Sequence, residues 1–151
     1  MGGLVVNPFK GLRPFGEADA ADFFGRDHLV EELHQLVTAQ RFTAVVGPSG
    51  SGKSSLVLAG LVPELKRGGF LVGRFTPGAD PFDAFSAALT DLATVDQARQ
   101  LHPDLLRRPG GLVAAVDALA AEDGLVIVID QLEELWTTTG DDERTLFAAS
   151  L

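Results

Sequence analysis

A chain of 151 residues, 46% hydrophobic, is long enough for one domain with a real core and short for two. Its net charge of −9 argues against a nucleic-acid duplex or an anionic membrane surface as a direct partner, so any phosphate binding has to be local. The absence of cysteine excludes disulfides and thiol chemistry and is compatible with a reducing cytoplasm.

The amino terminus, Met1 to Val6, lacks the basic start and long apolar core of a secretory leader. The longest apolar runs, Leu56 to Val62 and Leu125 to Ile129, fall short of the ~20 residues of a membrane span. A cytoplasmic chain with no membrane partner is therefore expected. Residues 1–24 read as an irregular entry segment, with Pro8, Phe9, Gly11, Pro14, Phe15 and Gly16 crowded together and the phenylalanines expected to pack on the core. Residues 25–151 read as the main body. Asp22 or Gly25 leads into a helix from about Arg26 to Ala39, because Leu29, Val30, Leu33, Leu36 and Val37 recur at helical spacing with Glu31, Glu32 and Gln35 opposite.

The apolar run Phe42 to Val46 then reads as a strand that enters Gly47-Pro48-Ser49-Gly50-Ser51-Gly52-Lys53-Ser54. The spacing G-x-x-x-x-G-K-[ST] is that of a phosphate-binding loop. Its glycines let the backbone wrap an anion so that successive N–H groups point inward, and Lys53 adds a point charge that reaches the β- and γ-phosphates. Ser54 offers a hydroxyl to Mg²⁺, and a helix opening at Lys53 directs its positive end at the anion. A Gly/Ser-rich surface turn is the alternative, but the strand-loop-helix setting favours the loop.

That helix is expected to end near Lys66 or Arg67, ahead of Gly68-Gly69, and a second strand covers Phe70 to Phe75. Asp80 caps and Pro81 starts the next helix, which carries Phe82, Phe85, Ala88, Leu89 and Leu92. A short helix over Val95 to Leu101 follows. Arg107 and Arg108 stand in a turn, either as a solvated basic turn or as a finger offered to a neighbouring subunit. Leu112 to Ala121 forms an Ala-rich helix with Leu112, Val113, Val116 and Leu119 inward. Leu125 to Ile129 is apolar without alternation, which argues a strand buried on both faces of a parallel sheet, with Asp130 at its carboxyl end where open α/β sheets bind ligands. Strands alternating with helices give an α/β sandwich built on a parallel sheet.

Asp130 is the acidic partner of Ser54 for Mg²⁺. Glu133 and Glu134, just beyond it, are candidates to polarise an attacking water, with Glu133 preferred; the alternative is a solvated acidic turn. Gln131 stands directly after Asp130, where many hydrolytic P-loop ATPases carry a glutamate, and its carboxamide cannot take a proton, so slow turnover follows. His28, His34 and His102 show no metal spacing. Trp136 is expected in the core or at an interface.

The stretches Asn7-Pro8-Phe9-Lys10-Gly11-Leu12-Arg13-Pro14-Phe15, Phe23-Phe24-Gly25-Arg26-Asp27, Val46 to Ser55, and Ile129-Asp130-Gln131-Leu132-Glu133-Glu134-Leu135 together resemble the novel STAND NTPases of the first type. These are bacterial relatives of NACHT and apoptotic-ATPase switches. The resemblance implies a P-loop NTPase three-layer sandwich of the additional-strand class, ATP and ADP as nucleotides, and a signalling role with self-association or fused effector and repeat domains. It also implies that Phe24, Gly25 and Arg26 lie beside the adenine, that the loop from Gly47 to Ser55 holds the phosphates, and that Glu133 and Glu134 are the water-activating acids. In that class a further strand, with a polar sensor residue, sits between the loop strand and the Asp130 strand. The resemblance therefore implies a sheet incomplete at the C-terminus, its central strand lying beyond Leu151, unless a partner or swapped copy fills the gap or the Phe42 to Val46 and Leu125 to Ile129 strands pair directly. The loop alone would also suit a nucleotide-binding scaffold without turnover, a small-molecule kinase or a transporter ATPase. The segment before Asp130 has no Ser-Gly-Gly-Gln-like signature, and no basic lid is visible.

Overall fold

The computed structural model describes residues 15–22, 25–98, 101–119 and 124–151, and the chain divides into two compact units, Met1–Gly68 and Gly69–Leu151. The expected packing of Phe9 and the expected adenine-side Phe24 lie outside the described residues.

The N-terminal unit is helical. A 3-10 turn, Glu17–Asp22, precedes α1, Asp27–Ala39. A continuous helical run then follows the glycine-rich loop, made of α2 (Lys53–Ser55), a π segment (Leu56–Leu61) and α3 (Val62–Arg67). The apolar stripe of α1 buries Val30 and Leu33. The π segment that α1 packs against buries Leu58, Ala59, Gly60 and Leu61. Lys66 reaches back to Glu17 at 2.7 Å, tying the entry turn to α3.

Phe42 to Val46, expected as a strand, is not one. Phe42 and Val46 are 72% and 89% exposed, and the unit contains no strand among its described residues. The reason is pairing: an apolar segment becomes a strand through a hydrogen-bonded neighbour, and among the described residues it has no strand partner.

In the C-terminal unit, β1 (Leu71–Phe75) and β2 (Leu125–Ile129) pair in parallel, with Leu71 opposite Leu125 and Phe75 opposite Ile129. This two-stranded sheet takes the place of the wider sandwich expected. Parallel neighbours cannot be joined by a hairpin. Between them run α4 (Pro81–Thr90), α5 (Val95–Ala98), α6 (Pro103–Leu106) and α7 (Gly111–Leu119), and after β2 come α8 (Glu134–Thr137) and α9 (Asp141–Ala148). β2 is half-buried at all five positions instead of buried on both faces. In α7, Leu112, Ala115 and Leu119 are buried while Val113 is 59% exposed: the inward stripe follows the 112/115/119 spacing and leaves position 113 about 100° off it. α6 was missed because one turn shows no periodicity; its signal was Pro103 at the first helical position behind His102, whose Nδ1 accepts the Asp104 N–H at 3.3 Å.

Asp80 caps α4 as expected, accepting the Asp83 N–H at 2.9 Å. The core is a set of edge-to-face phenylalanines. The ring of Phe147, fully buried, lies 6.0 Å from Phe75, 5.1 Å from Phe82 and 6.3 Å from Phe85. Leu89, Leu101, Leu106, Leu112, Leu119 and Leu135 complete it. Arg107 is neither a solvated turn residue nor an offered finger. Its guanidinium pairs with Asp80, donates to Glu143 at 2.8 Å and lies 5.1 Å from the centre of the Phe82 ring. It thereby binds the start of α4, the end of α6 and the first turn of α9. Burial opposes its charge, but the hydrogen bond to Glu143 and the charges of Asp80 and Glu143 outweigh that and hold its pKa above the ordinary value. Arg108 is exposed.

Phe147 carries three ring contacts from the last helix, so Phe147→Ala is expected to cost about 3–5 kcal/mol, read as a lower urea midpoint in equilibrium unfolding.

Candidate functional site

The loop from Gly47 to Ser54 is shaped by backbone that side chains would resist. Gly50 (φ 75°) and Gly52 (φ 85°) are both left-handed, and Gly52 is the residue from which α2 starts. The Ser51 N–H closes a turn on the Pro48 carbonyl at 3.2 Å. Lys53 folds over this turn, its Nζ donating to the carbonyls of Gly47 at 2.8 Å and Pro48 at 2.9 Å. The interior is tight: a Cβ on Gly47 would come within 3.2 Å of Ser51 Oγ. Among the described residues Lys53 is held by two neutral carbonyls and by no carboxylate, and an anion entering the loop offers it a stronger partner.

Two further segments meet the loop. Arg26 donates from Nη1 to the Ser51 carbonyl at 3.2 Å, and a Cβ on Gly52 would lie 3.2 Å from the same Nη1. The Ser55 Oγ accepts the Phe15 N–H at 3.0 Å, so that hydroxyl anchors the entry segment. Ser49 is exposed, Ser54 is half-buried, and Gly25 is left-handed at φ 82° and exposed. The structure thus gathers Arg26 with Gly47, Pro48, Ser51, Gly52 and Lys53.

Asp130, Glu133 and Glu134 belong to the other unit. Asp130 continues the β ladder, its N–H donating to the Phe75 carbonyl at 2.9 Å. Its side chain is 16% exposed; Oδ1 accepts the Gln131 N–H at 3.1 Å, and Oδ2 lies 3.2 Å from Arg74 Nη2. Gln131 turns the chain sharply at φ 53°, the left-handed region that a non-glycine residue enters at a cost. Glu134 then reaches back: its Oε2 accepts the Gly78 N–H at 3.2 Å, while Thr139 Oγ1 donates to the Gly78 carbonyl at 2.6 Å. Both backbone groups of Gly78 are held by this turn. Glu133 is exposed, and among the described residues its carboxylate has no hydrogen-bond partner. Trp136 is 63% exposed, which rules out the core position.

Arg74, Gly78 and Thr139 are the residues that sequence reasoning missed. Arg74 carried a weak signal, as the single charged residue of β1, near the carboxyl end of that strand.

Among the described residues no three His, Asp or Glu side chains cluster as a ready metal cage. The Asp130 carboxylate in one unit and the Ser54 hydroxyl in the other are each hard oxygen donors, the chemistry that suits Mg²⁺. In the loop, the Lys53 ammonium and the left-handed Gly50 and Gly52 are the features whose chemistry suits an anion.

The family model described as Novel STAND NTPase 1 matches residues 8–151. No curated protein and no solved structure matches the chain.

The Glu134 clasp generates a test by substitution. Glu134→Ala leaves the half-buried Gly78 N–H without its acceptor and is expected to cost about 1–2 kcal/mol in urea unfolding, whereas Glu134→Gln keeps an acceptor oxygen and should lose less than half of that.

Proposed function

Because the chain belongs to the Novel STAND NTPase 1 family, we propose that it is an Mg-ATP-binding, slowly hydrolysing switch module of a signal-transduction protein. The observation that carries the reading is Lys53, folded onto the Gly47 and Pro48 carbonyls at the start of a helical run, in a loop with two left-handed glycines. In this reading Lys53 leaves those carbonyls for β- and γ-phosphate oxygens, while the N–H groups of Gly50 and of Gly52 to Ser55 donate to the same anion. Phe24 and Gly25 flank the adenine, and Arg26 steadies the Ser51 carbonyl from outside the phosphate shell. Ser54 and Asp130 are the residues that would hold Mg²⁺, which would supply positive charge to the phosphates.

Glu133 is the residue proposed to accept the proton of the attacking water. Its carboxylate is exposed and uncommitted among the described residues, whereas that of Glu134 is engaged at Gly78. Gln131 orients the water without taking its proton, which keeps turnover slow. ATP and ADP are the nucleotides, and self-association or fused effector and repeat domains are the proposed means of output. None of the described helices is long and apolar enough to cross a membrane, and a cytoplasmic location belongs to the proposal.

A second reading is a nucleotide-stabilised scaffold with little turnover, favoured by Glu134 being tied to Gly78 and leaving one exposed glutamate for the chemistry. Thermal unfolding and ATPase assays separate the two. Mg-ATP at a hundred times its dissociation constant is expected to add about 2.7 kcal/mol to the wild type and nothing to Lys53→Ala. Glu133→Gln should keep the shift and lose turnover. Equal, background turnover in all three with the wild-type shift intact leaves the scaffold; no shift in the wild type removes both readings.

A further inference from the structure

Two arginines in the C-terminal unit pair with carboxylates in different ways. Arg107 is 26% exposed, shared between Asp80 and Glu143 and laid against a phenylalanine ring, which is a structural tie. Arg74 is 51% exposed and makes one contact among those the structure gives it, Nη2 to Asp130 Oδ2 at 3.2 Å. In the parallel register Arg74 stands opposite Val128, so Asp130, two residues further along the neighbouring strand, is its diagonal neighbour on the same face. The carboxylate is fixed, by its place at the end of the ladder and by the Gln131 N–H on Oδ1. The guanidinium is not: a long side chain half in solvent leaves such a pair at little cost.

We propose that Arg74 is a built-in counter-ion that holds the place of a divalent cation at Asp130, so that cation loading and the Arg74–Asp130 pair exclude one another and Arg74 sets the cation affinity of the site. The proposal rests on the reading of Asp130 as the Mg²⁺ ligand. A carboxylate mostly removed from water needs a nearby positive charge, and Arg74 supplies it when no cation is bound. A divalent ion at the same oxygen brings two charges into the space beside the guanidinium, and like-charge repulsion then drives Arg74 into solvent. Arg74 is a positioning residue in this account; it touches the ligand carboxylate and not the nucleotide.

The test uses Mn²⁺ alone as the probe, with bound and free ion separated by electron paramagnetic resonance of the intact chain. Arg74→Gln is expected to bind Mn²⁺ about tenfold more tightly than the wild type, the scale of one neighbouring charge at a partly exposed site. Arg74→Lys, which keeps the charge but not the guanidinium fork, should fall between them. The gain should vanish when Asp130→Asn is added, and Arg108→Gln, which removes the same charge from an exposed turn, should match the wild type. Equal affinity in Arg74→Gln and wild type, a gain equalled by Arg108→Gln, or a gain that survives Asp130→Asn each overturns the proposal. If Arg74→Gln fails to fold, Arg74→Lys carries the same comparison against the wild type, and no gain there overturns the proposal. ATP-induced thermal shifts on the same samples read the underlying function separately: no shift anywhere, with the Mn²⁺ gain present, removes the nucleotide and leaves the counter-ion.

Discussion

The parallel ladder between Leu71–Phe75 and Leu125–Ile129 is the constraint from which the C-terminal unit follows. Parallel strands need a crossover, and in the helices α4 to α7 that supply it, α4 brings Phe85 to the ring of Phe75 and Phe82 into the same core cluster. The last helix closes the same cluster through Phe147. One more hydrogen bond, from the Asp130 N–H to the Phe75 carbonyl, extends the ladder past the strand and holds that carboxylate at its end. The position of the acidic turn is therefore inherited from strand pairing and core packing, with the loop chemistry of Gln131 and Glu134 added on top.

The N-terminal unit depends on a different constraint, the backbone conformations of its glycine-rich loop. Left-handed glycines at positions 50 and 52 turn the chain tightly enough for Lys53 to reach the Gly47 and Pro48 carbonyls. Arg26 and the Phe15 N–H brace the loop and the helix that leaves it. Behind this lies the π segment with its buried Leu58, Ala59, Gly60 and Leu61, a helical form often found beside functional sites.

Within the acidic turn, two adjacent glutamates with the same chemistry have different surroundings. Glu134 is used to hold the backbone of Gly78, so its charge serves the loop after β1; Glu133 is left to solvent. Arg74 and Arg107 divide in the same way, one half in solvent on a single carboxylate and one shared between two carboxylates against a phenylalanine ring. In each case the side chain's role is set by its partners.

The amino-acid sequence by itself determined the features that depend on a few neighbouring residues: the loop from Gly47 to Ser54, the Asp80–Pro81 helix start, the helical spacing of α1, the end of the helical run at Arg67 and the apolar β2 strand ahead of Asp130. These are set by local backbone preference and by periodicity, which a short window contains. Only the tertiary structure decided that Phe42 to Val46 is not a strand, since a strand exists through a neighbour and not through its own composition. It also decided the partners of Arg74, Glu134 and Arg107, which lie 56, 56 and 27 residues away along the chain. Such pairs are created when strand pairing and a packed core bring distant segments together, so no local pattern carries them.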